Sequence, residues 1–287
     1  MLYLALSVLF SSLIFVIFKL FNTYGVQTLY AIITNYFVAC SVGLLVYNGD
    51  IKLAEIPSKN WFLGALALGI LFILVFNVMA RTSQTLGVSV ASVATKMSFV
   101  MPVIFGVILY KEVVEPIKIV GILVAIAAVY LASLKTSTIK FHVSMLLLPL
   151  LVFLGSGAID TAIKFFQERL VPQEEFSIFS ATVFAAAATT GIVFIAINSF
   201  KKPLKKNYKN VLGGIVLGVP NFFSIFFLLK ALQFEGLTSA AIFTLNNVAI
   251  VMVSTLFGIL FFREKLSLKN WTGVALAVVS ILLVALF

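Results

Sequence analysis

Apolar stretches of about 20 residues follow one another along the whole chain, and that pattern leaves few folds open. A helix of about 20 apolar residues is what crosses a hydrocarbon layer roughly 30 Å thick. Ten such stretches are read at 2–20, 27–47, 61–80, 87–109, 117–134, 143–165, 176–197, 210–231, 237–261 and 270–287. The runs are too long for strands, and polar and apolar residues do not alternate along them. Lipid offers no water to backbone amides, so each segment must satisfy its own, as a helix does. The expected fold class is therefore an all-α integral membrane protein with ten transmembrane helices. Composition agrees: 62% of residues are hydrophobic and 10% charged, against about 45–50% and about 25% in a soluble domain. Met1–Ala5 run straight into the first stretch without a basic leader, which reads as a first helix and not a removable signal.

The chain also says nearly the same thing twice. Leu63-Gly64, Gly69, Arg81 and Gly87 return as Leu212-Gly213, Gly218, Lys230 and Gly236. Gly106, Tyr110-Lys111-Glu112 and Gly121 return as Gly258, Phe262-Arg263-Glu264 and Gly273. Lys19 has its counterpart in Lys164. Two units follow, 1–134 and 143–287, joined by a loop at 135–142. Each holds five spans. An odd number makes the second unit enter the membrane from the opposite face, so the repeats are expected to be of inverted topology. Pro102, Pro149 and Pro220 fall within spans and should bend them. The glycines, with Gly214 and Gly218 one turn apart, mark close helix contacts.

Met97-Ser98-Phe99-Val100-Met101-Pro102-Val103, then Tyr110-Lys111-Glu112 and Gly121, resemble the EamA-type repeat of the drug/metabolite transporter superfamily. Phe262-Arg263-Glu264-Lys265-Leu266-Ser267 and Gly273 carry the same likeness in the second copy, which has no proline matching Pro102. The resemblance spans nearly the whole chain. It implies ten helices around a central cavity and secondary, non-ATP transport of small metabolites or drugs by alternating access. An exporter of amino acids or related organic solutes, driven by protons or by exchange, falls within that reading. The family resemblance names no substrate.

A charged group inside a span costs at least about 2.5–3.5 kcal/mol and marks function by default. The repeat sorts such groups. Lys19/Lys164, Arg81/Lys230 and Glu112/Glu264 occur in both halves. The four cations sit near the C-terminal ends of their spans, where they can snorkel to water and offset the helix dipole, and the glutamates are read as fixing tight turns. Lys96 and Asp160 occur in one half only; the corresponding regions hold Asn246-Asn247 and Phe15. A substrate is asymmetric where a scaffold is not. Lys96 is therefore the expected partner of an anionic substrate group, or of Asp160 when the site is empty. A permanent Lys96–Asp160 pair and an Asp160–Lys164 pair along one helix face are the structural alternatives. Asn77, Thr95, Ser98, Asn221, Thr244, Asn246 and Asn247 supply neutral hydrogen-bonding groups for the same cavity. Asp160, Lys164 and Gln84 are the candidates for coupling or gating. Trp61 and Trp271, at the start of spans 3 and 10, read as interfacial belt residues.

Other classes find little support. Cys40 and His142 are each the sole residue of their kind, which gives no metal or haem ligand set and no cofactor. Gly155-Ser156-Gly157 resembles a protease motif only superficially, since no aspartate follows at once, and an enzyme is not expected. The net charge of +10 is spread over short loops, which points to lipid headgroups and not nucleic acid. A channel would favour rings of charge or carbonyls, and a channel or structural membrane protein is the alternative class. The partners expected are a small-molecule substrate and membrane lipid, with a monomer sufficient. The membrane is taken as the bacterial inner membrane. With side B defined as the face reached after span 1, its loops carry Arg81, Lys135, Lys140, Lys201, Lys202, Lys205, Lys206, Lys209, Arg263, Lys265 and Lys269. The positive-inside rule puts side B in the cytoplasm and both termini outside; the family resemblance implies cytoplasmic termini.

Overall fold

The computed structural model describes residues 1–46, 53–110, 116–134, 144–199, 207–232 and 239–286. Its helices are α1 (Leu2–Thr23), α2 (Thr28–Val46), α3 (Phe62–Thr85), α4 (Val88–Met97), α5 (Val100–Tyr110), α6 (Pro116–Ser133), α7 (Ser144–Arg169), α8 (Phe176–Ser199), α9 (Tyr208–Leu232), α10 (Ser239–Phe262) and α11 (Leu268–Leu286). Two short 3-10 turns, Leu53–Ser58 and Gln173–Glu175, precede α3 and α8. Among the described residues nine segments are long and apolar enough to cross a membrane, and Leu268–Val284 is a shorter apolar tenth.

The expected fourth span is two helices. It breaks at Ser98–Phe99, midway along Val88–Tyr110. Proline has no N–H for the carbonyl four residues back, and its ring clashes with that carbonyl. For Pro102 that residue is Ser98. The Ser98 carbonyl instead accepts from Met101 N at 2.9 Å in a tighter turn. The matching segment of α10, without a proline, runs unbroken. Helices α7 and α9 continue through Pro149 and Pro220, so only Pro102 sits at a break.

The packing has the symmetry of the repeat. Helix α1 lies against α9 and α10, α2 against α8 and α9, α3 against α7 and α8, α7 against α4 and α5, and α6 against α11. Exchanging the two halves leaves that pattern unchanged. Five spans per half place the exchange axis in the membrane plane, so the topology is inverted. Even single contacts repeat. Gly64 meets the Phe166 ring, and its counterpart Gly213 meets Phe21 and Val26. At Gly69 an added Cβ would lie 2.7 Å from the Ala187 backbone nitrogen; at the equivalent Gly218 it would lie 2.8 Å from Val38 Cβ. These glycines let α3 approach α8 and α9 approach α2 at backbone distance.

Large apolar side chains such as Leu45, Leu63 and Leu123 face outward, as lipid requires. Between α6 and α7 a groove of about 220 Å³ is lined by Ile126, Val129, Tyr130, Ser133, Leu146, Pro149, Leu150 and Phe153. Its walls are almost wholly apolar, and Ile126, Tyr130 and Leu150 are exposed. It belongs to the lipid face and lacks the convergent polar groups of a solute site.

Candidate substrate site at a broken helix

The break in the fourth span puts free backbone groups at mid-membrane depth, which is tolerated where protein or cavity water receives them. Lys96 stands in the last turn of α4, where a cation complements the helix dipole. Thr95 folds back on its own helix, Oγ1 to the Ala91 carbonyl at 2.8 Å. Ser98 Oγ lies 2.6 Å from the Thr95 carbonyl and 3.2 Å from Asp160 Oδ2. Helix α7 comes this close because Gly157 has no side chain to meet Met101 and the Ser98 carbonyl. Asp160 is exposed by its accessible surface. Lys96 is half-buried. The charges of Lys96 and Asp160 act on each other without closing into a salt bridge, so a permanent ion pair is not what the structure holds.

Among the described residues five buried side-chain polar atoms have no hydrogen-bond partner, on Ser12, Asn35, Ser156, Asn246 and Thr255. The Asn246 side-chain oxygen on α10 and the Ser156 hydroxyl on α7 make no hydrogen bond. An unsatisfied buried polar atom costs about 1–3 kcal/mol, which a bound solute or water would recover. Ser156 was not among the expected site residues. Its spacing of four from Asp160 on one helix face is the signal that could have found it. Asn247 is half-buried and Thr244 buried.

Asn77, Asn221 and Gln84, also expected in the site, hydrogen-bond to the helices. Asn77 donates to the Ile73 carbonyl of its own helix at 2.7 Å. Asn221 donates to Asn35 Oδ1 at 3.1 Å across the α2–α9 contact. Gln84 donates to the Phe18 carbonyl at 2.9 Å and to Thr28 at 3.0 Å, tying α3 to α1 and α2 at the side-B rim. Lys164 lies one turn beyond Asp160 on α7 and is half-buried.

Side B is sealed around α4. The Glu264 carboxylate reaches from the α10–α11 turn to the N-terminus of α4, accepting from Val88 N at 2.7 Å and Ser89 Oγ at 3.1 Å. It thus binds two repeats together, a larger role than shaping its own turn. Gly87, at φ 120°, is both in a glycine conformation and too close to that carboxylate to carry a Cβ. Lys19 does not snorkel outward. It turns in, 3.8 Å from Glu264 and 3.3 Å from the Gln84 carbonyl. Ser83 adds a bond to the Phe15 carbonyl at 2.8 Å. Arg81 and Lys230 are exposed, as snorkelling requires. Glu112, the partner of Glu264 in the repeat, lies outside the described residues.

Side A is different. Helix α4 packs against α1, α3, α6, α7, α10 and α11, whereas α5, its continuation toward side A, keeps substantial contact among the described residues with α7. Toward side A, α1 meets α9 through the stacked Tyr3 and Phe227 rings, α6 meets α11 through Gly121 and Ser280, and α3 meets α8 at a charged corner. There Glu175 accepts from Lys59 at 2.8 Å and from the Trp61 indole at 2.6 Å. Partial burial pushes the Glu175 carboxyl up, but the Lys59 and Trp61 hydrogen bonds and the Lys59 charge together outweigh it and hold it below its ordinary value. Trp61 is consequently not a belt residue. With its N–H satisfied it is 1% exposed and packs edge-on against Phe179, whereas Trp271 is 49% exposed at the interface.

Inverted helical repeats around a broken mid-membrane helix define an integral membrane protein built like a solute carrier. Residues 1–134 and 143–286 each match the EamA-like transporter family, and the chain belongs to that family. It is thereby a membrane transporter of small solutes. A Haemophilus influenzae protein described only as uncharacterized is 28% identical over 255 residues, which cover 85% of this chain and 84% of that protein. A protein of known crystal structure shares the fold at TM-score 0.55 and 16% identity, with 98% of each chain covered.

Proposed function

We propose that the protein is a secondary transporter that carries a small organic solute bearing an anionic group, by alternating access around the α4–α5 break. One observation carries this reading: Lys96, which is in no ion pair among the described residues, stands at the break where its charge acts on Asp160. A lysine at this depth is held by what it binds, and a neutral polar rim of Ser98, Ser156 and Asn246 gives a solute hydrogen-bonding positions. In this reading side B is the closed end, held by Glu264, Lys19, Gln84 and Ser83, and side A is the end from which the solute enters. The repeat supplies the opposite state, since exchanging the roles of the two halves exchanges the closed and open ends. The units are the five-helix repeats 1–134 and 143–287, linked by 135–142, in a bacterial inner membrane with side B cytoplasmic. Counterflow in proteoliposomes tests it: solute screened from organic acids, amino acids, sugars and nucleosides should exchange saturably, and Lys96→Met should slow exchange of the solutes carrying an anionic group by about 10–100-fold, the loss of a hydrogen bond to a charged group. Unchanged affinity and rate in Lys96→Met would remove Lys96 from the site.

A further inference from the structure

We propose that Asp160 is the coupling-proton site of this transporter, taking up one proton when an anionic substrate group settles on Lys96. The inference rests on the reading of Lys96 given above and adds the ion that accompanies the solute.

The first argument is charge balance. A low-dielectric site tolerates a neutral set of charges far better than a net one. Helix α7 packs against α3, α4, α5 and α6. The charged group that acts on Asp160 from these elements is Lys96 of α4. Arg81 of α3 is exposed at the side-B end. Helix α5 carries no charged residue, and α6 brings Lys118 near its side-A start and Tyr130 on its exposed face. On α7 itself Lys164 lies a turn further toward side A, followed by Glu168 and Arg169 at the end. At the break, then, one cation faces one carboxyl. The empty site is neutral with Lys96 charged and Asp160 ionised. An anion arriving at Lys96 would leave a net negative charge unless Asp160 takes a proton from water that enters with the solute. One proton per anion restores neutrality, and no bond other than O–H is made.

The second argument is the number of protons on Ser98. Its hydroxyl has one hydrogen and stands between two acceptors, the Thr95 carbonyl at 2.6 Å and Asp160 Oδ2 at 3.2 Å. With the hydrogen on the shorter contact, Ser98 presents a lone pair to Asp160, a position that suits a protonated carboxyl as donor. With Asp160 ionised, the hydroxyl turns to it and releases the Thr95 carbonyl at the end of α4. Both protonation states are therefore accommodated, and the change between them rearranges a bond at the helix break. The third argument is access. A permanent structural carboxylate is expected to be buried in a salt bridge, whereas Asp160 is exposed and in no ion pair among the described residues. Linkage then works in both directions: protonation of Asp160 tightens anion binding by the factor by which the anion tightens proton binding.

Infrared spectroscopy of the full-length protein in lipid vesicles tests this without a known substrate. Lys96→Met gives the site the charge it has when an anion neutralises the lysine. Relative to wild type at neutral pH, this variant should gain a carboxylic-acid C=O band, with the acid-to-carboxylate ratio up by at least about tenfold, the equivalent of one pKa unit. The added band should vanish in Lys96→Met/Asp160→Asn. Lys96→Gln provides the same charge change should the methionine variant not fold. No added band in either folded variant, or a band that survives Asp160→Asn, overturns the proposal. If the band appears as expected but Lys96→Met transports with unchanged affinity, the proton site stands, and the anionic reading of Lys96 and the one-to-one stoichiometry fall.

Discussion

At the residue scale, the proposed site falls where the two halves differ. Lys96 and Asp160 break the repeat, and the fold brings them to one helix break. Their asymmetry was readable in the sequence, because an internal repeat supplies its own comparison. The amides that bond across helices show what the sequence withheld. Asn221 pairs with Asn35 where the equivalent contact of the other half joins Phe72 and Phe184 edge-on, and no spacing along one helix says which neighbour an amide will find. Trp61 was misjudged for the same reason: its partner Glu175 comes from the turn before another span. Substituting Lys96→Met should lower kcat/KM in reconstituted vesicles by about 10–100-fold, the loss of about 1.5–3 kcal/mol for a hydrogen bond to a charged group. Arg81→Ala, exposed at the rim, should change it little. Glu175 gives a pH prediction. Its carboxyl is held below the ordinary value when folded, so its stabilisation is present above the unfolded carboxylate range and fades as pH falls through the folded value. Thermal unfolding in detergent should show wild type above Glu175→Gln at neutral pH, with the gap closing on acidification. A gap that widens in acid would contradict the assignment.

At the scale of elements, the spans were legible and the break was not. Long apolar runs fix where helices cross, since the hydrocarbon thickness sets their length. Pro102 was visible, but its effect falls on the carbonyl four residues earlier, and whether a helix bends or divides there depends on what receives that group. Pro149 and Pro220, in helices that continue, carry the same local signal. The close approach at Gly69 was foreseeable in kind. Gly69→Leu should separate α3 from α8 and cost about 1–3 kcal/mol from overpacking, read as a lower unfolding temperature in detergent; an unchanged temperature would show that the contact yields. Glu264 acts across elements, from one repeat to the start of α4 in the other. Glu264→Gln keeps one acceptor but loses the charge that binds the helix dipole and Lys19, so it should loosen side B without unfolding the protein.

At the scale of the molecule, inversion was legible from two facts, a repeat and an odd number of spans per unit. Symmetric packing of α1–α9 with α3–α7 follows from it. Orientation rests on the basic residues of the side-B loops, and a C-terminal reporter should register outside the cytoplasm; a cytoplasmic signal would reverse the assignment of sides and leave the mechanism intact. The most direct measurement of the central claim is side-specific labelling of Asp160→Cys in a Cys40→Ser background, using a membrane-impermeant thiol reagent on vesicles of each orientation. The account predicts labelling from side A, protection from side B, and new labelling from side B once Glu264→Gln is added. Equal labelling from both sides with Glu264 intact would mean a pore, and protection from both sides in every variant would mean that no chamber exists at the break.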